Sequence, residues 1–426
     1  MKLELPKGMK DSLPEEKIRK DALMDSLKEV FERFGYNPLD TPVVERFSVL
    51  SSKYAGGAEI LKETFKLKDQ GERELGLRYD LTVPFARVVG MNPSLKKPFK
   101  RYQMDKVWRD GPVGMGRYRE FWQCDVDMVG SSSMMADAEM MAVARDVLQK
   151  LGFDYNIELN NRRLLNGILD YAGVKEDKEN IILIIDKIKK VSREDLKKEL
   201  NDNGLSDEQI DKIFDVFDIK GDSSEKLEKL KGMITSEEGK QGIAELEDLF
   251  GYLEAYGIGS YTLELSLSRG LAFYTGTVYE AFLKGSKIRS AVASGGRYDD
   301  IIGKFLDSNE SYPAVGISFG LSRLYDAVSQ EETKKTVTDV FVLPIKTQKE
   351  SVPIVDSLRK QGVNAEIDLV GRGISKNLNY ANSLGIPYVV FVGEEELKSE
   401  KYKLRDMSTG KEEYLSLGDI VKRVKK

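Results

Sequence analysis

The chain contains no histidine and a single cysteine, Cys124, among its 426 residues. It therefore cannot form an internal disulfide, and it cannot build a zinc site from cysteine and histidine ligands. A hydrophobic core must hold the fold together, and the 41% hydrophobic content provides enough material for one. The same counts exclude Ser-His-Asp and Cys-His catalysis. Any chemistry must rest on Arg, Lys, carboxylates, Tyr, Gln and bound Mg²⁺.

The overall composition narrows the function further. The length suggests about three domains at roughly 150 residues each. The 66 Lys and Arg against 71 Asp and Glu give a net charge of −5, which argues against a histone-like binder but allows a local basic face. Neither a run of about 18 apolar residues nor an apolar signal-peptide segment is found, so we expect no membrane association and a cytoplasmic location.

The pattern along the chain predicts three regions. Residues 1–175 and 241–329 mix strand and helix patterns and are expected to form one domain. Residues 176–240 are rich in Lys, Glu and Asp, with apolar residues at helical spacing, which predicts an inserted helical module. Residues 330–426 alternate buried strands with helices, which predicts a separate α/β domain.

The segment from Trp108 to Gly130, WRDGPVGMGRYREFWQCDVDMVG, carries the richest set of polar side chains. Strand alternation places Trp122, Cys124, Val126 and Met128 on an inward face. The other face presents Arg117 and Arg119, then Gln123, then Asp125 and Asp127. A solvated strand face is the usual interpretation of such a pattern. The alternative is the floor of a pocket, with a cationic end for phosphate and an acidic end for a cationic or N–H-rich ligand.

Other candidate residues lie at turns and helix starts. Asp80 and Thr82 precede a helix, where they could cap it or hold a ligand ammonium group. Arg269 and Tyr274 fall on opposite strand faces, but Gly270 permits a bend that would bring both to one pocket. Arg323 begins a helix after Gly320, as a solvated residue or a phosphate partner. Adjacent glycines at 295 and 296 permit close approach of a flat ligand. A P-loop or Rossmann glycine pattern is not found.

Five ordered segments together resemble the histidyl-tRNA synthetase family of class II aminoacyl-tRNA synthetases. Tyr36 to Glu45 resembles motif 1, Phe99 to Gly130 motif 2, and Gly316 to Tyr325 motif 3. Two further stretches, SRGLAFYTGTVYE and ASGGRYDD, resemble segments specific to the histidine enzyme. The resemblance covers essentially the whole chain. It implies an α+β catalytic domain on an antiparallel six-stranded sheet, with a helical insertion and a C-terminal α/β anticodon-binding domain. It also implies a homodimer that uses histidine, ATP with Mg²⁺, and tRNA-His.

The resemblance also implies a role for each matching residue. Arg109 and the catalytic Arg269 would contact the α-phosphate of ATP, Arg117 would assist there, and Arg323 would bind the adenine or γ-phosphate end. Asp80 would hold the substrate ammonium group with Thr82 beside it. The imidazole would be read by Gln123, Asp127 and Tyr274. The substrate carboxylate is itself the nucleophile in adenylate formation, so the reaction needs alignment and charge neutralisation but no histidine base.

Two departures from the family pattern bear on the substrate. Ala272 stands where an acidic residue is common, and Phe273 where many relatives have tyrosine. Both changes could loosen side-chain recognition. Two other functions therefore stay open: a synthetase-like protein that charges another amino acid or a carrier, and a non-charging regulatory subunit of ATP phosphoribosyltransferase. The latter typically lacks the C-terminal domain and the catalytic arginines, both of which are present here.

Two basic regions are candidate RNA contacts. Lys96, Lys97, Lys100 and Arg101 form a run that is usually a solvated face and less often a tRNA-binding surface. In the C-terminal domain, Arg372, Lys376 and Asn379 lie near a helix start, where they could contact the anticodon.

Overall fold

The computed structural model describes residues 2–51, 61–114, 118–189, 191–268, 273–306, 308, 310–328 and 334–425. The chain divides into two compact units, which are described separately. Residues 1–10 and 23–328 form the first unit, and residues 11–22 and 329–426 form the second.

The first unit is built on strands β1 to β11. They are β1 (Asn37–Pro38), β2 (Val44–Arg46), β3 (Lys66–Lys68), β4 (Glu74–Leu77), β5 (Phe99–Trp108), β6 (Glu120–Val129), β7 (Tyr155–Asn161), β8 (Tyr261–Leu263), β9 (Thr277–Leu283), β10 (Ala293–Arg297) and β11 (Ala314–Gly320). Eight of these form one sheet in the order β1-β5-β6-β11-β10-β9-β7-β8, and β2-β4-β3 form a small separate sheet.

The predicted six-stranded antiparallel sheet is confirmed as the centre of the larger sheet. From β5 to β7 in the sheet order, every neighbouring pair is antiparallel. The short strands β1 and β8 add one parallel strand at each edge, so the sheet has eight strands rather than six. Strands of two or three residues are too short to show the alternation by which a strand is recognised in a sequence.

Helices α1 to α12 also belong, wholly or in part, to the first unit. They are α1 (Pro14–Arg33), α2 (Phe47–Leu50), α3 (Thr82–Met91), α4 (Met134–Lys150), α5 (Arg162–Tyr171), α6 (Lys178–Ile185), α7 (Arg193–Asp202), α8 (Asp207–Phe217), α9 (Ser223–Met233), α10 (Glu237–Ala255), α11 (Ile301–Phe305) and α12 (Leu321–Ala327). Helices α6 to α9 occupy the stretch expected to form the helical insertion. Ile210, Ile213 and Phe214 of α8 are buried in an apolar cluster of this region, as their spacing predicted.

The two faces of the large sheet differ in character. Cys124 and Val126 of β6 and Phe319 of β11 belong to the main apolar core, together with Met140 and Met141 of α4. The helix α4 begins at Ser133, whose hydroxyl oxygen accepts a hydrogen bond from the Met135 amide. The opposite face of the same strands is polar and carries the candidate site.

The second unit carries a five-stranded mixed sheet. Its elements are β12 (Val340–Pro344), α13 (Gln348–Lys360), β13 (Ala365–Ile367), α14 (Ile374–Ser383), β14 (Tyr388–Val392), α15 (Glu394–Ser399), β15 (Tyr402–Asp406), β16 (Glu412–Leu415) and α16 (Leu417–Val424). The strand order is β13-β12-β14-β15-β16, parallel in the first three strands and antiparallel in the last two pairs. The α/β pattern is thus confirmed. The charged hairpin of β15 and β16 was not predicted.

Over the described residues, no helix is both long enough and apolar enough to cross a bilayer.

The close contact between β10 and β11 depends on Gly295. A methyl group there would overlap the carbonyl oxygen of Gly316 and lie 2.8 Å from Tyr279 Cε2. Backbone cannot yield as a side chain does, so we expect Gly295→Ala to lower the free energy of unfolding by about 2 kcal/mol or more in denaturant titrations. The control is Gly251→Ala in α10, which has no neighbour within 4 Å. It should be neutral or stabilising by up to about 1 kcal/mol. Equal midpoints for the two variants would contradict the described strand contact.

Candidate active site

The polar face of the large sheet is organised in rows by the strand register. In the first row, Arg101 of β5 is opposite Asp127 of β6, followed by Gly316 of β11 and Gly296 of β10. In the next row, Gln103 is opposite Asp125, followed by Ser318 and Ser294. Directly opposed residues project to the same side of a sheet. The two rows therefore form one continuous surface, which we call the polar floor.

The centre of the polar floor is a buried ion pair. Arg101 Nη2 lies 2.7 Å from Asp127 Oδ2, and the Tyr298 hydroxyl donates to Asp127 Oδ1 at 2.5 Å. Arg101 is completely buried, with its guanidinium 4.4 Å from the Phe85 ring centre and Nη2 donating to the Leu81 carbonyl at 3.1 Å. Burial raises the pKa of the Asp127 carboxyl, while the Arg101 charge opposes that rise.

The interpretation of this strand as a solvated face is wrong. Asp125 and Asp127 are only 2% and 3% exposed. The reason is tertiary: residues of α3 and its N-terminal turn, including Leu81 and Phe85, contact Arg101 on this side of the sheet. The pocket-floor interpretation agrees with the burial.

The proposed basic surface before motif 2 is also corrected. Arg101 faces the polar floor and cannot belong to an external basic surface. Lys100 is partly buried and paired with Glu139 at 2.7 Å, and it donates to the Phe34 carbonyl at 2.6 Å. Only Lys96 and Lys97 of this run are exposed. Lys100 and Arg101 are adjacent residues of β5, so their side chains point to opposite faces of the sheet.

Asp80 lies at the start of α3, close to the polar floor. Its Oδ1 accepts a hydrogen bond from the Val83 amide at 3.0 Å, which confirms the capping interpretation for Asp80. Thr82 is the first residue of α3 and is partly buried. Burial raises the pKa of Asp80 to about 6, and the charges of Arg109 and Arg101 oppose the rise. Capping fixes this carboxylate beside two cations, so a ligand role remains compatible with it.

Arg109 and Gln123 also border the polar floor. Arg109 Nε donates to the Tyr79 carbonyl at 3.0 Å, and its guanidinium lies 5.2 Å from the Phe121 ring centre. Its charge lowers the pKa of Asp80, which places it on the Asp80 side of the site. Gln123 Nε2 donates to Ser318 Oγ at 3.0 Å.

Tyr274 lies against Gly296, one of the two glycines in the first row of the polar floor. A methyl group on Gly296 would come within 2.8 Å of its ring. Phe273 packs against Tyr274 at 4.7 Å and against Tyr298 at 6.0 Å between ring centres. Arg323, in α12, donates from Nη1 to the Ala291 carbonyl at 2.5 Å, near the end of the floor marked by Gly320. Arg117, Arg269 and Ala272 lie outside the described residues.

Sequence reasoning missed two residues of this site: Tyr298 stands in ASGGRYDD beside the glycines without an assigned role, and Arg101 is assigned to a surface run. Asp125 is assigned only to the acidic end of the pocket floor, without a specific partner. The structure, and not the sequence, shows buried polar atoms at this site that a ligand could contact. Asp125 Oδ1, Gln123 Oε1 and the Arg101 atoms Nε and Nη1 are buried without a hydrogen-bond partner among the described residues. Such groups are rare in folded proteins unless a ligand or water completes them.

The candidate RNA contacts of the second unit surround a turn held by Asp368. Its Oδ1 accepts from the Val370 amide at 3.0 Å, and its Oδ2 accepts from the Arg372 amide at 2.6 Å and from Asn377 Nδ2 at 3.1 Å. The turn exposes Leu369 and Val370, at 87% and 70%. The Arg372 guanidinium lies 4.4 Å from the Tyr380 ring centre. Lys376 and Asn379 are exposed on α14.

The burial of Asp125 should make stability depend on pH. Burial raises its pKa to about 7, above an unfolded value of about 4. The folded state then binds the proton more tightly, so this residue lowers stability as pH rises from about 4 to about 7. We expect Asp125→Asn to raise the melting temperature at pH 8 by roughly 2–4 °C for each 1 kcal/mol recovered, and to change it little at pH 5.

Thermal melts at the two pH values test this expectation. Asp248→Asn, at an exposed position on α10, is the matched control and should leave the pH dependence unchanged. A parent protein and an Asp125→Asn variant that melt together at pH 8 would show that the Asp125 charge carries no such penalty.

Comparison with known proteins agrees with this arrangement. Residues 8–324 match the family model described as histidyl-tRNA synthetase, and residues 339–426 match the model described as anticodon binding domain. Histidine–tRNA ligase 1 of Bacillus cereus is 44% identical over 423 residues, covering 99% of each chain.

Two solved structures are similar over most of the chain. The histidyl-tRNA synthetase from Nostoc sp. PCC 7120 has a TM-score of 0.86 and 31% identity, with 100% of this chain and 99% of that chain covered. A protein from Bacillus halodurans described as an ATP phosphoribosyltransferase regulatory subunit/histidyl-tRNA synthetase has a TM-score of 0.76 at 23% identity, covering 91% and 97%. At 23% identity, the similarity to this second protein shows only that the two share a fold. The family match over the polar floor and the full-length identity place this chain in the histidyl-tRNA synthetase family.

Proposed function

We propose that the chain is a histidine–tRNA ligase, which activates histidine with ATP to histidyl-adenylate and then transfers histidine to the 3′ end of tRNA-His. The observation that carries the proposal is the polar floor, in which the buried Asp125 carboxylate leaves Oδ1 without a hydrogen-bond partner among the described residues, and the nearby Asp80 carboxylate feels the charge of Arg109. Such a pocket suits an amino acid with a cationic group and ring N–H donors, positioned for reaction next to a phosphate-binding arginine.

In the activation step, a carboxylate oxygen of histidine attacks the α-phosphorus of ATP. One O–P bond forms, the bond to the β-phosphate bridge breaks, and pyrophosphate leaves. No side chain has to accept a proton. Arg109 and Arg269 would neutralise the charge that grows on the α-phosphate, and Arg117 would assist them. Arg323 would contact the adenine or γ-phosphate end.

Divalent metal would enter this site with ATP. The described residues contain no group of three or more Cys, Asp or Glu side chains placed to hold a metal ion. Mg²⁺ typically binds substrate phosphates with one or two protein carboxylates at most, so the donor set fits an ion carried on the nucleotide. It would supply charge neutralisation on the phosphates, and no residue is assigned to it here.

Recognition of the substrate side chain would come from Gln123, Asp127 and Tyr274. Asp127 is oriented by Arg101 and Tyr298, so its carboxylate can accept from an imidazole N–H only in a fixed direction. A side chain without such a donor would leave one acceptor position of this buried carboxylate unfilled, which can give discrimination of about 10⁴. The departure at Phe273 leaves an aromatic wall against Tyr274 and Tyr298.

The second unit supports an RNA substrate rather than the regulatory function. It matches an anticodon-binding domain and presents the Asp368 turn beside Lys376 and Asn379. Exposed apolar and planar cationic groups are suited to splayed bases. Here Leu369, Val370 and the Arg372 guanidinium are such groups.

We further propose a homodimer acting in the cytoplasm. The small sheet, whose strand β2 overlaps the end of motif 1, exposes Val44 on β2 and Leu67 on β3, which suits burial against a second copy. The single cysteine fits a reducing compartment. Sedimentation of the purified chain tests the dimer.

ATP–pyrophosphate exchange across the twenty amino acids tests the activation step. We expect exchange with histidine alone. Asp127→Asn should reduce kcat/KM for histidine by about 10² or more with little change in KM for ATP, because it removes the negative charge and replaces one acceptor oxygen of the oriented carboxylate with an N–H donor. No exchange with any amino acid would favour the regulatory function, and exchange with another amino acid would mean that the side-chain pocket is misassigned.

Aminoacylation kinetics test the RNA surface. We expect Lys376→Ala and Asn379→Ala each to raise KM for tRNA-His by about fivefold, equivalent to about 1 kcal/mol, without changing ATP–pyrophosphate exchange. Lys360→Ala is the matched control, since Lys360 is an exposed lysine on α13 of the same unit. An equal effect of Lys360→Ala would point to general charge rather than to this surface.

A further inference from the structure

We propose that Asp125 is a second carboxylate that, together with Asp80, holds the α-ammonium group of the amino acid substrate. This inference rests on the proposed histidine activation and adds a binding residue to that site.

The register places Asp125 in the middle of the polar floor. It lies between Gln123 and Asp127 on the same face of β6, each about 7 Å away along the strand. An amino acid whose ring contacts Asp127 and whose carboxylate points towards Arg109 extends across the rows between them, and the row next to Asp127 is the one that contains Asp125. On β5, β6, β11 and β10 that row consists of Gln103, Asp125, Ser318 and Ser294, and Asp125 is the charged member of these four; the row continues on β9 with Glu280.

The surroundings of Asp125 leave one acceptor open. The residue is 2% exposed, and its Oδ1 has no hydrogen-bond partner among the described residues. A side-chain hydrogen bond from Ser318 supports the charged form of this carboxyl. A residue that served only to hold the sheet together would be expected to have both oxygens satisfied. The open atom indicates a donor that arrives with a ligand.

The charge balance calls for a cation at the same place. Arg101 is the cation whose charge acts on Asp80, Asp125 and Asp127 alike, and its Nη2 is already paired with Asp127. The remaining neighbours named for Asp125 are the carboxylates of Asp80 and Asp127, which repel its charge. Tyr298 lies on the Asp127 side, where it donates to that carboxylate. An ammonium group brings one positive charge and three donors, and so matches the open Oδ1 of Asp125 together with the charge of the Asp80 carboxylate.

Three imidazole compounds separate the ammonium group from the other parts of histidine. Histidine and histamine carry the ammonium group, whereas imidazolepropionate carries the ring and a carboxylate without it. Titration calorimetry with the full chain and with Asp125→Asn measures the dissociation constant of each compound. We expect Asp125→Asn to weaken histidine and histamine by about tenfold or more, and to leave imidazolepropionate unchanged or tighter.

The outcomes distinguish the ammonium-binding role of Asp125 from the proposed function of the chain. Equal weakening of all three compounds, or no weakening of any, overturns the ammonium role and leaves Asp125 a structural residue. Failure of the parent chain to bind histidine overturns the proposed function as well. A rise in KM for histidine with unchanged KM for ATP in pyrophosphate exchange, in a variant that melts no lower than the parent, supports the proposal in the reacting enzyme.

Discussion

The guanidinium of Arg101 is completely buried among three carboxylates, and the geometry of the pocket depends on it. Its pairing with Asp127 orients that carboxylate, and its donation to the Leu81 carbonyl ties the start of α3 to the sheet. Without this cation, three buried negative charges would face each other, a situation that folded proteins avoid by unfolding or by binding protons. The site is therefore organised before substrate arrives.

The sheet serves two purposes with one set of strands. Each strand turns one face to the core under α4 and the other to the polar floor. A shift of register by one residue would exchange Cys124 and Val126 for Asp125 and Asp127, so that carboxylates would enter the core. The burial of the apolar face thus fixes the row in which every site residue stands.

Much of this architecture could be predicted from the sequence. The alternation in β6, the apolar spacing in α8 and the buried strands β12 and β14 are local patterns, and the structure contains each of them. The burial of the polar floor could not be predicted, because it results from contacts with α3 that no local pattern records. For the same reason Arg101 was mistaken for a surface residue. The roles assigned to Arg109, Asp80 and Tyr274 came from the family resemblance and remain predictions.

The two glycines in the first row of the polar floor limit how the substrate preference of the pocket can change. At Gly316 and Gly296 the surface beside Asp127 is bare backbone, and a methyl group at either position would collide with Asp127 or with Tyr274. Any substitution at these glycines adds side-chain atoms, so it can make the pocket shallower but not deeper. A new substrate preference must therefore come from substitutions in the walls of the pocket, such as the aromatic pair of Phe273 and Tyr274, and not from the glycines of the floor.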